Sequence, residues 1–231
     1  MNIQCQALRN VPRIKLEIAL EDMAKKIKTP EKLTALKQAF HRYFEANIPV
    51  KYWDLEMKVH FNGDESLMNE YNRLTSDIKS LYKNGISICF AGQYGIGKTL
   101  MTTNVLKRAL EKGYSGLYLN LNDIVSSMKS KDSYAARKEL ITTDFLVVDE
   151  FDPRYMATES ASDFYGRMLE DILRNRSQNK LPLILCTNSP NPTSAFGGAI
   201  QESVNSLFNY VDVIPVFGSD YREKEKRNSN G

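Results

Sequence analysis

Ile86-Ser-Ile-Cys-Phe-Ala91, followed by Gly92-Gln-Tyr-Gly-Ile-Gly-Lys98-Thr99 and Leu100, is the stretch that decides the fold. Its first six residues form a short apolar run with a glycine at either end, which predicts a buried strand. The next eight match G-x-x-x-x-G-K-[ST], and an amphipathic helix-length segment follows directly. The spacing has a chemical reason. Small residues let successive backbone N–H groups converge on a polyphosphate, and the helix that starts at the end of the loop adds its dipole. Gly92, Gln93, Tyr94, Gly95, Ile96, Gly97, Lys98, Thr99 and Leu100 are therefore the candidate residues that bind a nucleoside triphosphate. Lys98 is expected to reach the β- and γ-phosphates and the Thr99 hydroxyl to bind Mg²⁺.

Working outward, Asp144-Phe-Leu-Val-Val-Asp149-Glu150 is a buried strand that ends in two carboxylates. Charges at the mouth of an apolar strand are costly unless a metal, a donor or water uses them. Asp149 is expected to hold Mg²⁺, directly or through a water, and Glu150 to act as general base on the attacking water. Leu181-Pro-Leu-Ile-Leu-Cys-Thr187-Asn188 ends in a polar pair. Asn188 is expected either to orient the water and sense the γ-phosphate or simply to open a turn before Ser189-Pro190. Short apolar runs at 117–121, 145–148, 181–186 and 211–217 alternate with helix-length segments at 98–112, 123–142, 160–178 and 195–209. That alternation predicts a parallel sheet covered on both faces, with five core strands. A strand at 117–121 between the phosphate loop and the acidic strand favours the additional-strand class of such ATPases over kinases and GTPases. No arginine-rich lid or second acceptor pocket is recognisable, which also favours hydrolysis.

Residues 1–46 read as a helical region. Ile14, Ile18, Ala19, Met23 and Ile27 suggest the apolar side of one helix, and Leu33, Leu36, Phe40, Tyr43 and Phe44 that of a second. Thr29 is expected to cap the second helix and Pro30 to open it. The stripe of the second helix serves core packing or, in part, docking of a partner. A single helix is expected from Glu65 to Lys83. The 231 residues carry a formal net charge of +3, too small to indicate a polyanion partner by itself. Residues 1–50 hold nine Lys/Arg against five Asp/Glu, a surplus that reads as a solvated face. Three cysteines far apart and two histidines give neither a bridge framework nor a zinc spacing. The start, MNIQCQALRNVPRIK, has no apolar core for a signal peptide, and no apolar run is long enough to span a bilayer. The expected compartment is a reducing cytoplasm, with no membrane partner.

Taken together, these residues resemble the AAA+ helicase loaders of the DnaC/DnaI type and the related IstB transposition-helper ATPases. The likeness runs over roughly 46–222. It includes Ala46-Asn-Ile-Pro-Val-Lys-Tyr52, Tyr82-Lys-Asn-Gly85, Leu181-Pro182 through Thr187-Asn188, and Phe217-Gly-Ser-Asp-Tyr221-Arg222. The resemblance implies a P-loop AAA+ three-layer α/β core without a C-terminal helical lid, at 47–222. It further implies ATP with Mg²⁺ as cofactors and an adenine-contacting segment near 46–52. A helical region at 1–46 would precede the core and a charged tail at 223–231 would follow. The implied partners are a replicative helicase, single-stranded DNA and further copies of the chain.

The sequence departs from that pattern in one respect. Such ATPases use an arginine from a neighbouring subunit, yet Ile200-Gln-Glu-Ser-Val-Asn-Ser-Leu-Phe208 has none, and no arginine stands between Arg176 and Arg222. Slow intrinsic hydrolysis is the expectation. Arg222, Arg174, Arg176 or Lys180 substitutes, or a partner supplies the charge, or the chain is chiefly a nucleotide switch. Three functions follow: a helicase loader that binds single-stranded DNA, a transposition helper on duplex DNA, and a nucleotide-dependent scaffold with negligible turnover.

Overall fold

The computed structural model describes residues 5–152, 159–192, 198–209 and 211–218. Five parallel strands form one sheet: β1 (Ser87–Ala91), β2 (Gly116–Asn120), β3 (Phe145–Asp149), β4 (Leu183–Thr187) and β5 (Asp212–Pro215), in the order β2-β3-β4-β1-β5. The strand that separates the phosphate-loop strand from the acidic strand in space is therefore β4. The strand expected at 117–121 does come between the loop and the acidic strand in the chain, and it lies at the edge of the sheet. This order puts the tip of β4, and with it Asn188, between the phosphate loop and the two carboxylates.

The alternation of side chains along each strand builds two cores. Ile88, Phe90, Tyr118, Phe145, Val147, Ile184 and Cys186 face one side, where they join α6 (Lys98–Glu111). Cys89, Leu117, Leu119, Leu146, Val148, Leu183 and Leu185 face the other, against α7 (Leu121–Met128), α8 (Ser133–Thr142) and α9 (Glu159–Gln178). Cys5, Cys89 and Cys186 are buried free thiols. Burial pushes the Cys89 thiol up to about 12, so it is inert.

The N-terminal helices α1 (Arg13–Lys26) and α2 (Pro30–Glu45) pack into the α6-side core through Leu16, Met23, Phe40 and Tyr43. The expected apolar side of α1 is rotated. Ile14 and Ile18 are 56% and 46% exposed, while Leu16 and Met23 are buried and Ala19 and Leu20 half-buried. A helix with apolar residues at 14, 16, 18, 19, 20 and 23 offers two stripes, and only contact with α2 selects one. Thr29 makes no side-chain cap, although its backbone is extended as at a cap position and Pro30 does open α2.

The single helix expected over 65–83 is two. The short α3 (Met57–His60) precedes α4 (Glu65–Ser76), and α5 (Ile78–Asn84) follows after a break at Asp77. Asp77 leaves helical geometry (φ −143°, ψ 78°) and its carboxylate accepts the Ser80 amide, so an acid inside the pattern acts as a new N-cap. Likewise 123–142 is α7 and α8 rather than one helix, with Asn120 and Asp123 forming a reciprocal capping box where β2 ends. α10 (Gly198–Phe208) packs against α9. Tyr221, Arg222 and the tail at 223–231 lie outside the described residues.

Candidate nucleotide site

The site stands at the carboxyl ends of β1, β4 and β3, where ligands of open α/β sheets bind. A cleft of about 280 Å³ opens there. Two glycines explain why the loop takes its path. Gly97 caps α6 in the left-handed region (φ 96°), and a β carbon there would come within 2.6 Å of the Phe61 ring. At Gly92 a β carbon would stand 2.1 Å from the Val216 carbonyl oxygen, so the loop can leave the sheet only as glycine.

Lys98, at the first turn of α6, is buried and its Nζ donates to the carbonyls of Gly92 (2.8 Å) and Gln93 (2.7 Å) and to Asn188 Oδ1 (3.1 Å). Thr99 Oγ1 donates to Asp149 Oδ2 at 2.7 Å. Asp149 falls on the α6 face because it lies two and four residues beyond Val147 and Phe145. Its Oδ1 accepts the amide of Glu150 at 2.8 Å. Glu150 turns out of the strand in the left-handed region (φ 50°) and stands exposed at the rim of the cleft. A non-glycine residue held there is the sort of backbone strain that collects at functional sites.

The nine residues expected to hold the nucleotide divide by position. Tyr94, Gly95, Gly97, Lys98, Thr99 and Leu100 line the cleft. Gly92 and Ile96 are buried and Gln93 is exposed, so these three shape the loop from behind. Asp149, Glu150 and Asn188 also line the cleft.

The opposite wall was legible only in part. Lys51 and Tyr52 belong to the segment in which adenine contacts were expected, and Leu55, His60 and Phe61 join them. Two buried polar side chains of α6 hold this wall. Lys107 Nζ donates to the carbonyls of Trp53 (2.8 Å) and Leu55 (2.9 Å), and it lies 5.1 Å from the centre of the Tyr43 ring. Burial pushes the Lys107 pKa down, and Glu56, 3.7 Å away, opposes that shift. Asn104 donates to the Leu55 carbonyl (3.0 Å) and accepts the Met57 amide (3.0 Å). Also missed was Tyr118, whose hydroxyl donates to Asp149; burial, then the nearby carboxylate, pushes its pKa up and keeps it protonated.

Whether the residues fit a magnesium nucleotide is decided by the donors. Thr99 and Asp149 are hard oxygen ligands in mutual contact, of the kind Mg²⁺ takes in ones and twos beside substrate phosphates. The left-handed Gly97 opens the N-terminus of α6 towards the cleft, and the donors and the loop suit the group. Of the arginines considered as an activating group, Arg176 is excluded. It is fully buried, donating to the carbonyls of Leu140, Thr143, Asp144 and Pro182, and burial lowers its pKa. Arg174 pairs with Glu170, Lys180 is exposed, and Arg222 lies outside the described residues.

No family model matches the chain. It is 27% identical to the replicative helicase loader DnaC of Escherichia coli K12 over 131 residues, 54% of this chain and 51% of that protein. It is 24% identical to the putative ATP-binding protein of insertion sequence IS5376 from Geobacillus stearothermophilus over 151 residues, 61% of this chain and 57% of that one. The chain thus spans about half the length of the curated relatives it matches. Among solved structures, the DnaC helicase loader superposes with a TM-score of 0.57 at 16% identity, covering 72% of this chain and 99% of that one. The replication initiator DnaA bound to AMPPCP and single-stranded DNA gives 0.56 at 15%, covering 74% and 53%. The chain shares the fold of these solved structures, and its sequence is similar to DnaC and to insertion-sequence ATP-binding proteins.

Proposed function

We propose that this chain binds and hydrolyses ATP with Mg²⁺ and acts in DNA replication as a helicase loader that engages single-stranded DNA. The observation that carries the reading is one constellation: Lys98 beside Asn188, Thr99 against Asp149, and Glu150 at the rim, all on a cleft at one sheet edge. Thr99 and Asp149 would hold the Mg²⁺, which supplies electrostatic stabilisation of phosphate charge. Lys98 would neutralise the β- and γ-phosphates. Glu150 would take the proton of a water attacking the γ-phosphorus as the bond to the bridging oxygen breaks, and Asn188 would orient that water. Lys51, Tyr52 and Phe61 form the wall suited to the base and sugar.

The DNA part of the proposal rests on the surface of the α7–α8 pair. Lys129, Lys131 and Lys138 are exposed there, and Tyr134 is 78% exposed, a basic surface with an aromatic ring free to stack on a base. The exposed Ile14 and Ile18 on α1 are the side proposed to meet the helicase. The domain division at 46/47, self-association and a cytoplasmic setting belong to the same proposal. Among the described residues no helix is long and apolar enough to cross a membrane.

The similarity to insertion-sequence ATP-binding proteins favours a second reading, a transposition helper on duplex DNA. A third, a scaffold with negligible turnover, follows from the stretch without arginine after Arg176. Gel-shift titrations with single-stranded and duplex DNA, with ATP and with ADP, separate the first two. Tighter binding to single strands in ATP and co-elution with a replicative helicase are expected. Duplex preference selects the second reading. Failure to bind any nucleotide defeats all three.

A further inference from the structure

Asp149 has a second donor on the oxygen that Thr99 reaches. The Tyr118 hydroxyl donates to Asp149 Oδ2 at 2.7 Å, and Thr99 Oγ1 donates to the same atom at 2.7 Å, while Oδ1 accepts the Glu150 amide. Tyr118 is 9% exposed and Asp149 7%, so the bond between them is buried, whereas the bond from Thr99 is only partly so. The sheet register makes the pairing possible. Tyr118 stands opposite Val147 and Asn120 opposite Asp149, which puts the phenol and the carboxylate on the same face as diagonal neighbours.

Tyr118 is itself anchored from the other side. β2 is an edge strand, and Ala46-Asn47 covers it at this point. The Tyr118 amide donates to the Ala46 carbonyl (2.8 Å), and its carbonyl accepts Asn47 Nδ2 (3.0 Å). Asn47 sits in the left-handed region (φ 56°), and its Oδ1 accepts the amides of Asn10 (2.8 Å) and Val11 (3.3 Å), just before α1. Hydrogen bonds therefore connect the root of the N-terminal helices to the acid beside the phosphate loop.

We propose that Tyr118 is a positioning residue for the metal-side carboxylate, and that Asn47 sets it from the N-terminal side. The inference rests on the reading of Asp149 as a Mg²⁺ ligand. Thr99 is expected to turn its hydroxyl to the ion, and its bond to Asp149 is then lost. Tyr118 is the donor that stays, fixing the carboxylate plane and satisfying a buried lone pair. Phenylalanine at 118 would keep the ring and its packing and delete only that donor.

The test uses the full chain and a fluorescent ATP analogue, titrated with Mg²⁺ and, separately, in EDTA. For Tyr118→Phe, nucleotide affinity in EDTA should stay within about twofold of wild type, while the Mg²⁺ needed for half-maximal response rises about tenfold, the size set by a hydrogen bond to a charged group. In an Asp149→Asn background the same change should add nothing further, because it acts through the carboxylate. An unchanged Mg²⁺ requirement in a folded Tyr118→Phe protein, beside a Mg²⁺-dependent wild type, overturns the proposal and leaves the nucleotide reading intact. A wild type that ignores Mg²⁺, or a Lys98→Ala protein that binds as well as wild type, defeats the reading and this proposal with it. Should Tyr118→Phe fail to fold, Asn47→Ala takes its place: a rise of roughly threefold supports the proposal, and no rise overturns it.

Discussion

The two walls of the cleft are built on different principles. The phosphate loop, Gly92 to Leu100, is local in its backbone: a strand, a glycine turn and a helix start, with the acids brought to it from the end of β3, about fifty positions on. The opposite wall, Lys51 to Phe61, has little regular structure of its own beyond the turn Val50–Tyr52 and the four residues of α3. It is held from outside by Lys107 and Asn104, roughly fifty positions away in the chain. The loop of the first wall takes its path from its own backbone, and the sheet brings the acids and Asn188 to it. The second is specified by buried polar groups on α6, so it is the one a distant substitution can disturb.

That contrast orders the expected effects. Glu150→Gln should lower turnover by about 10²–10⁴-fold with nucleotide binding kept, since it removes a proton acceptor and no phosphate contact; steady-state hydrolysis beside a fluorescent-nucleotide titration reads both. Lys98→Ala should weaken nucleotide binding by about 10–100-fold, the worth of a charge-assisted contact. If the second wall is held as described, Lys107→Met behaves in the opposite sense. It leaves the buried Trp53 carbonyl without its donor and the Leu55 carbonyl with Asn104 alone, and a loss of about 1–3 kcal/mol in urea unfolding is expected, with nucleotide affinity falling as a consequence. Equal stability of Lys107→Met and wild type would erase the distinction between the walls. Phe61→Ala should have the smallest effect, about three- to tenfold on affinity for the adenine nucleotide and less for inorganic triphosphate, because it removes stacking and no charge.

The parts of the site that could be read beforehand are those whose chemistry is local in sequence. The loop spacing, the two acids closing an apolar strand and the amide after Thr187 announce themselves within a few residues. Tyr118 does not. Its relevance follows from strand order and register, which decide that β2 pairs with β3 and that position 118 shares a face with 149. The same limit explains why β4 and not β2 stands between the loop and the acids. Alternation identifies strands without ordering them. In the helical parts, Asp77 and the residues 129–132 interrupt patterns that periodicity alone extends, since capping and chain reversal are decided by single polar groups. On α1 the sequence offered two stripes, and contact with α2 left Ile14 and Ile18 outside.

Arg176 sits at the other end of the sheet from the cleft and ties the end of α8 and the entrances of β3 and β4 through four carbonyl oxygens. One guanidinium thus rivets three passages of chain together at the strands' amino ends. A molecule fastened there has little freedom to shear its strands past one another. On the proposed function, any rearrangement that accompanied exchange of one nucleotide for another would be taken up by the connections above the opposite rim, with the sheet serving as the fixed bed against which they shift.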